Sequence, residues 1–179
     1  MRLAAIFMQM LVVSTAYASP PCEMSSIGSC ANANDLIWAK SFRPALDGFV
    51  GGRKVSWLGH REDIADVVQD VLSGPPDDVM NMEDGMRRFS AVRPHSATER
   101  GAIFISDDGT IRAVGVLHFN CVKRCEPSYS LSIILANDDR QLASMVRAWG
   151  DEQTTQNAQS GFEKNLTSIG RVEVLIVKH

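Results

Sequence analysis

The chain has 179 residues, with 18 Lys and Arg against 21 Asp and Glu and a formal charge of −3. A mildly acidic surface argues against nucleic acid or anionic lipid as the main partner. Past the first residues, no stretch reaches the roughly 18 apolar residues that a membrane span needs.

Residues 1–18 read as a secretory signal. Met1-Arg2 gives a positive start, Leu3 to Val13 is apolar apart from Gln9, and Ala16-Tyr17-Ala18 forms an A-x-A cleavage site before Ser19. The expectation is a periplasmic protein, or a secreted one where there is no outer membrane, made of a single domain over residues 19–179. Ser19-Pro20-Pro21 ahead of Cys22 does not fit lipid attachment. Removing residues 1–18 takes one Arg and no acid, so the remainder carries −4 rather than −3.

All four cysteines, Cys22, Cys30, Cys121 and Cys125, survive that cleavage, and in an exported chain they read first as disulfides. Of the three connectivities, local spacing favours Cys22–Cys30 with Cys121–Cys125. Residues 19–33 read as an irregular lead-in pinned by the first pair.

Asp35 to Val50 is a weakly helical region, with Asn34 or Asp35 as cap, a break at Pro44, and Gly51-Gly52 as its end. The clearest helix spans about Arg61 to Ser73. Ile64, Val67, Val68, Val71 and Leu72 form one stripe, Glu62, Asp63 and Asp66 crowd its start, and Gly74-Pro75-Pro76 stops it. Residues 77–86 read as a polar loop. The period then becomes two, predicting strands over Arg87–Val92, Ala102–Ser106, Thr110–Cys121 and Cys125–Ala136, with Asp107-Asp108-Gly109 as a tight turn. A second helix is expected over Asp138–Trp149, capped by Asn137 and ended by Gly150. Phe162, Leu166 and Ile169 suggest a short helix, and Arg171–Lys178 a final strand. The sum is an α+β domain: an antiparallel sheet of about five strands with two or three helices mainly on one face.

Cys121-Val122-Lys123-Arg124-Cys125 is the most specific feature after the signal. A three-residue loop would set Cys121 opposite Cys125, with Phe119 opposite Pro127 and Leu117 opposite Tyr129. A disulfide there would stabilise by about 2 kcal/mol at most, yet it would hold Lys123 and Arg124 in solvent as a pre-organised cationic tip. The bland alternative is a stapled turn with no binding role. A zinc site from His118, Cys121 and Cys125 is disfavoured, because His118 has the opposite strand parity. C-x₃-C in a hairpin is not the redox motif at a helix start.

Other clusters have simpler explanations. His60-Arg61-Glu62-Asp63 reads as a helix start. His95-Ser96 lacks the context of a Ser/His hydrolase, whose nucleophile and base are brought together by the fold. Gly51-Gly52-Arg53-Lys54 fits neither a P-loop nor a dinucleotide fingerprint. Asp77-Asp78 with Glu83-Asp84 lacks calcium-loop spacing, and Met80, Met82 and Met86 read as packing. The acidic 77–84 segment beside Arg87, Arg88, Arg93 and Arg100 reads as solvated loop charges. No catalytic constellation, metal set or cofactor motif is recognisable.

With the signal ending Ala16-Tyr17-Ala18, the segment from Gly101 to Tyr129 (GAIFISDDGTIRAVGVLHFNCVKRCEPSY) resembles the stapled hairpins of small periplasmic inhibitor and immunity proteins. These protect bacteria from wall-degrading enzymes, notably amidase toxins delivered by contact-dependent (type VI) secretion systems. The resemblance implies a non-catalytic protein that occludes a peptidoglycan hydrolase in a 1:1 or 2:2 complex. It puts Val122, Lys123 and Arg124 on the partner surface, with Asp107 and Asp108 as a second candidate loop. The competing readings are an accessory binding module of the envelope or secretion apparatus, and a small hydrolase with an unrecognised site, for which His95 and His118 are the candidates.

Overall fold

The structure, a computed structural model, describes residues 20–121, 125–161, 166 and 168–177. The signal assigned to 1–18, the loop residues Val122, Lys123 and Arg124, and most of the helix expected near Phe162 lie outside the described residues.

The chain enters through a 3₁₀ turn, Met24–Ser29, closed by the Cys22–Cys30 disulfide that the spacing favours. Asn32, rather than Asn34 or Asp35, caps α1 (Ala33–Trp38), its side chain accepting from the Asp35 N–H. The break before α2 (Phe42–Val50) falls at residues 39–41, ahead of Pro44. Pro44 sits in the first turn of α2, where a missing N–H sacrifices no bond. β1 (Lys54–Val55) and β2 (Glu62–Asp63) form a small antiparallel ladder. Glu62 and Asp63 are therefore strand residues, and α3 is only Ile64–Val71.

The main sheet holds β3 (Met80–Asn81), β4 (Met86–Val92), β5 (Arg100–Ser106), β6 (Ile111–Cys121), β7 (Cys125–Leu135) and β8 (Ile169–Ile176), in that spatial order. Two expectations need correcting. The sheet has six strands among the described residues and is mixed, because β8 runs parallel to β7. The link between them is α4 (Arg140–Ser160), and a helical crossover returns the chain in its original direction.

The helices also do not share one face. α1, α2 and α3 bury Leu36, Phe42, Leu46, Ile64, Val68 and Val71 against Ile103, Ile105, Val114, Val116 and Ile134. α4 buries Leu142, Val146 and Trp149 against Phe104, Ala113, Leu117, Leu131 and Ile133 on the other side. The period-two pattern suggests one dry face, but β5, β6 and β7 carry apolar residues at both parities, as strands covered on both sides do.

α4 runs past Gly150 to Ser160, with Asp139 rather than Asn137 as its cap. Gly150 is interior to the helix because Leu131 and Ile169 lie against it: a Cβ there would stand 3.0 Å from a methyl of each. The second half of α4 is held by polar contacts, which apolar periodicity cannot register. Buried Asn157 donates to the Thr98 carbonyl and to the Tyr129 hydroxyl at 3.2 and 3.1 Å. The basic residues beside the 77–84 segment are likewise structural. Arg100 pairs with Asp77, Arg88 with Glu152, and Arg93 with both Asp70 and Glu99, so they are not simply solvated charges.

Gly115 of β6 lets α4 approach the sheet, since a Cβ there would lie 2.7 Å from Val146 Cγ1 and 2.8 Å from Trp149 Cζ3. Gly115→Val should therefore lower the unfolding free energy by about 1–3 kcal/mol, read from urea melts with an unchanged slope. Unaltered stability would mean that α4 does not sit this close to β6.

Candidate functional site

β6 and β7 form the longest hairpin in the sheet, and its far end extends past its neighbours. β5 begins opposite Leu117 and β8 begins opposite Tyr129. Residues 118–121 and 125–128 therefore pair with no other strand among the described residues. At roughly 3.3 Å per residue, four residues of overhang reach about 13 Å beyond the sheet. Phe119 and Tyr129 stack at its root, ring centroids 4.8 Å apart.

The register differs from the expected one. Cys121 faces Cys125 as predicted, but Phe119 faces Tyr129 and Leu117 faces Leu131. Glu126, Pro127 and Ser128 lie opposite the single residue Asn120, so the expected Phe119–Pro127 and Leu117–Tyr129 pairs do not form. A proline has no N–H for the ladder and is accommodated at a bulge. The slip is two residues, so face parity survives. Side chains at positions 120–125 and 127 are outside the described residues, and with them the expected Cys121–Cys125 bond.

The second candidate loop lies at the other end of β6. Asp107 and Asp108 are exposed, but Asp107 is tied to the neighbouring 85–87 segment and Asp108 to its own turn. The Asp107 N–H donates to the Gly85 carbonyl and its carboxylate pairs with Arg87 at 3.2 Å. Asp108 accepts from the Ser106 hydroxyl and the Thr110 N–H, and these bonds, the hydroxyl's first, lower its pKa. Residues 111–117 of β6 separate this turn from the start of the overhang by roughly 23 Å, and the full strand separates it from Cys121 by roughly 33 Å. The two loops cannot form one contact patch.

A polar cluster that linear motifs do not reveal sits near the root of the overhang. His118 is only 2% exposed, with Trp57 stacked on its ring at 5.8 Å. Its Nδ1 lies 3.3 Å from the Phe119 carbonyl, which can only accept, so that bond forms in the tautomer with the proton on Nδ1. In that tautomer Nε2 accepts from the Ser132 hydroxyl, which lies 2.9 Å away. Ser130, directly opposite His118, is buried with no partner for its Oγ among the described residues. With Ser56, Arg171 and Glu173 these residues line a cavity of about 140 Å³. A hydroxyl bonded to a neutral imidazole can lose its proton to it, which is the elementary step of nucleophile activation. The third group here is a carbonyl rather than a carboxylate.

The two histidine-containing clusters read from the sequence do not assemble a site. Ser96 Oγ accepts from the backbone of Thr98 and Glu99, tying down its own turn. His60 is exposed and paired with Glu62.

Burial pushes the His118 imidazole below its ordinary value of 6.5, opposed by backbone hydrogen bonds to Phe119 and Trp57 and by the charges of Glu99 and Glu173. The unfolded chain therefore binds this proton first as pH falls. The stability contributed by neutral His118 is complete above pH 6.5 and is lost as pH drops from there toward the depressed folded value. Relative to His118→Gln, the wild-type protein should lose up to about 1.4 kcal/mol per pH unit in that window. Denaturant melts at successive pH values check this, and parallel profiles would contradict it.

Neither family models, nor curated proteins, nor solved structures provide a match to this chain.

Proposed function

We propose that the protein is an exported immunity or inhibitor protein that blocks a peptidoglycan-degrading enzyme, such as an amidase toxin, by inserting the β6–β7 hairpin end into the enzyme's cleft. The observation that carries this reading is the overhang. A narrow two-stranded projection, anchored in a sheet buried on both faces, suits a groove better than a flat surface does. A loop whose ends are held by the pairing of Cys121 with Cys125 loses less entropy on binding than a free one. Lys123 and Arg124 at its tip supply charge for an acidic cleft, and Val122 an apolar contact.

The experiment is to capture partners on the purified protein and titrate it into the captured enzyme's reaction with isolated peptidoglycan. Hydrolysis should fall to zero at a fixed stoichiometry. Lys123→Glu with Arg124→Glu should weaken the complex at least about tenfold, or 1.4 kcal/mol. Unchanged affinity would remove the tip from the interface. Recovery of envelope assembly components with no inhibited hydrolase would favour an accessory binding module instead.

One observation favours a second reading, a small hydrolase: the hydrogen bond between Ser132 Oγ and His118 Nε2 beside an open cavity. In that case the protein alone should hydrolyse an activated acyl ester or a wall peptide, releasing the alcohol or amine. Ser132→Ala and His118→Ala should each abolish turnover, and an inert wild-type protein would retire the reading.

A further inference from the structure

The geometry points to a homodimer formed by antiparallel pairing of the outer edges of two β8 strands, in the register centred on Val172. β8 is the last strand of the sheet, so its outer edge meets no other strand among the described residues. An edge of this kind is a template for strand addition unless something blunts it; Arg53 takes the Ile176 carbonyl at its far end, and the backbone of residues 171–174 has no such contact among the described residues. Val172 and Val174 are 39% and 50% exposed on the α4 side of the sheet, two of the few large apolar side chains left in solvent. On the opposite side stand Arg171 and Glu173, level with Ser130 and Ser132 of β7. Both are exposed, and neither forms an ion pair among the described residues.

Identical edges restrict the registers. In a regular strand the outward-facing N–H and C=O groups belong to every second residue, so a symmetric antiparallel pair must be centred on a residue. Centring on Arg171 or Glu173 sets like charges face to face. Centring on Val174 sets Arg171 against Val177 and Glu173 against Leu175, leaving both charges without a counterpart. Centring on Val172 places Arg171 against Glu173 of the second copy, twice by symmetry. On the other face Val172 meets its own copy with the Val174 side chains flanking it, and the regular ladder ends at the bulge that β8 carries at Gly170. Only this register satisfies both faces, and directly opposed unlike charges in a ladder are favourable whereas like charges are unfavourable.

Sedimentation velocity over a wide concentration range tests it. The wild-type protein should sediment as a dimer. Arg171→Glu alone, and Glu173→Arg alone, each create two like-charge pairs and should weaken self-association about tenfold or more. Mixing these two variants should restore a heterodimer, since every pair then joins unlike charges. The double variant R171E/E173R should recover the homodimer, which also shows that the substitutions do not unfold the strand. A monomeric wild-type protein overturns the inference, as does a dimer indifferent to the single substitutions. A mixture that stays monomeric while the double variant dimerises contradicts the register. The hairpin variant K123E/R124E should dimerise normally, so failure of the inhibitor reading and failure of this one are separable.

Discussion

Burial of β5, β6 and β7 on both faces is the constraint from which the rest of the molecule follows. Phe104, Ala113, Leu117 and Leu131 look toward α4, while Ile103, Val114, Val116 and Ile134 look toward α1, α2 and α3. A layer of this kind fixes strand register strongly, because a slip of one residue would exchange the two cores. It also demands close approach. Gly101 meets Val71 of α3, and Gly115 meets Val146 and Trp149 of α4, so each helical layer has a notch in the sheet. The projecting end of β6–β7 is supported by this layer much as a beam is supported by the wall that clamps it.

The same sheet carries a polar exception. His118, Ser130 and Ser132 occupy positions on the face that Val114, Val116 and Ile134 otherwise make apolar. Burying these groups is unfavourable unless they bond one another, and the Ser130 hydroxyl has no partner among the described residues. The exception sits at the base of the overhang, under Trp57, where a cavity opens between the sheet and the β1–β2 segment. Polar groups are tolerated there because the core ends there. The inhibitor reading uses the overhang and leaves this cluster as its polar foot, whereas the hydrolase reading inverts those roles.

Much of this was legible from local pattern. The Cys22–Cys30 bond, the apolar stripe from Ile64 to Val71 and the β5–β6 turn at Asp107-Asp108-Gly109 all depend on residues close in the chain. What escaped depends on residues far apart. The polar half of α4 has no apolar stripe, so Gly150 looked like a stop although it is a contact with Leu131 and Ile169. The parallel pairing of β8 follows from where α4 deposits the chain, which no strand pattern encodes. The bulge opposite Asn120 shifted the hairpin by two residues, and that shift is what hid the cluster. The expected register sets His118 opposite Ser128, whereas the observed one sets it opposite Ser130 and within reach of Ser132.

The central claim, that the hairpin end is what the partner grips, is tested most directly by hydrogen exchange on the purified complex. The overhang's amides have only the facing strand of the hairpin as partner and should exchange faster in the free protein than those of the sheet's interior. On binding, peptides covering 119–128 should become protected, while those covering the Asp107–Gly109 turn and the outer edge of β8 should not change. Protection centred on residues 54–58 and 130–132, with the hairpin end still exchanging freely, would contradict the account and make the His118 cavity the working site.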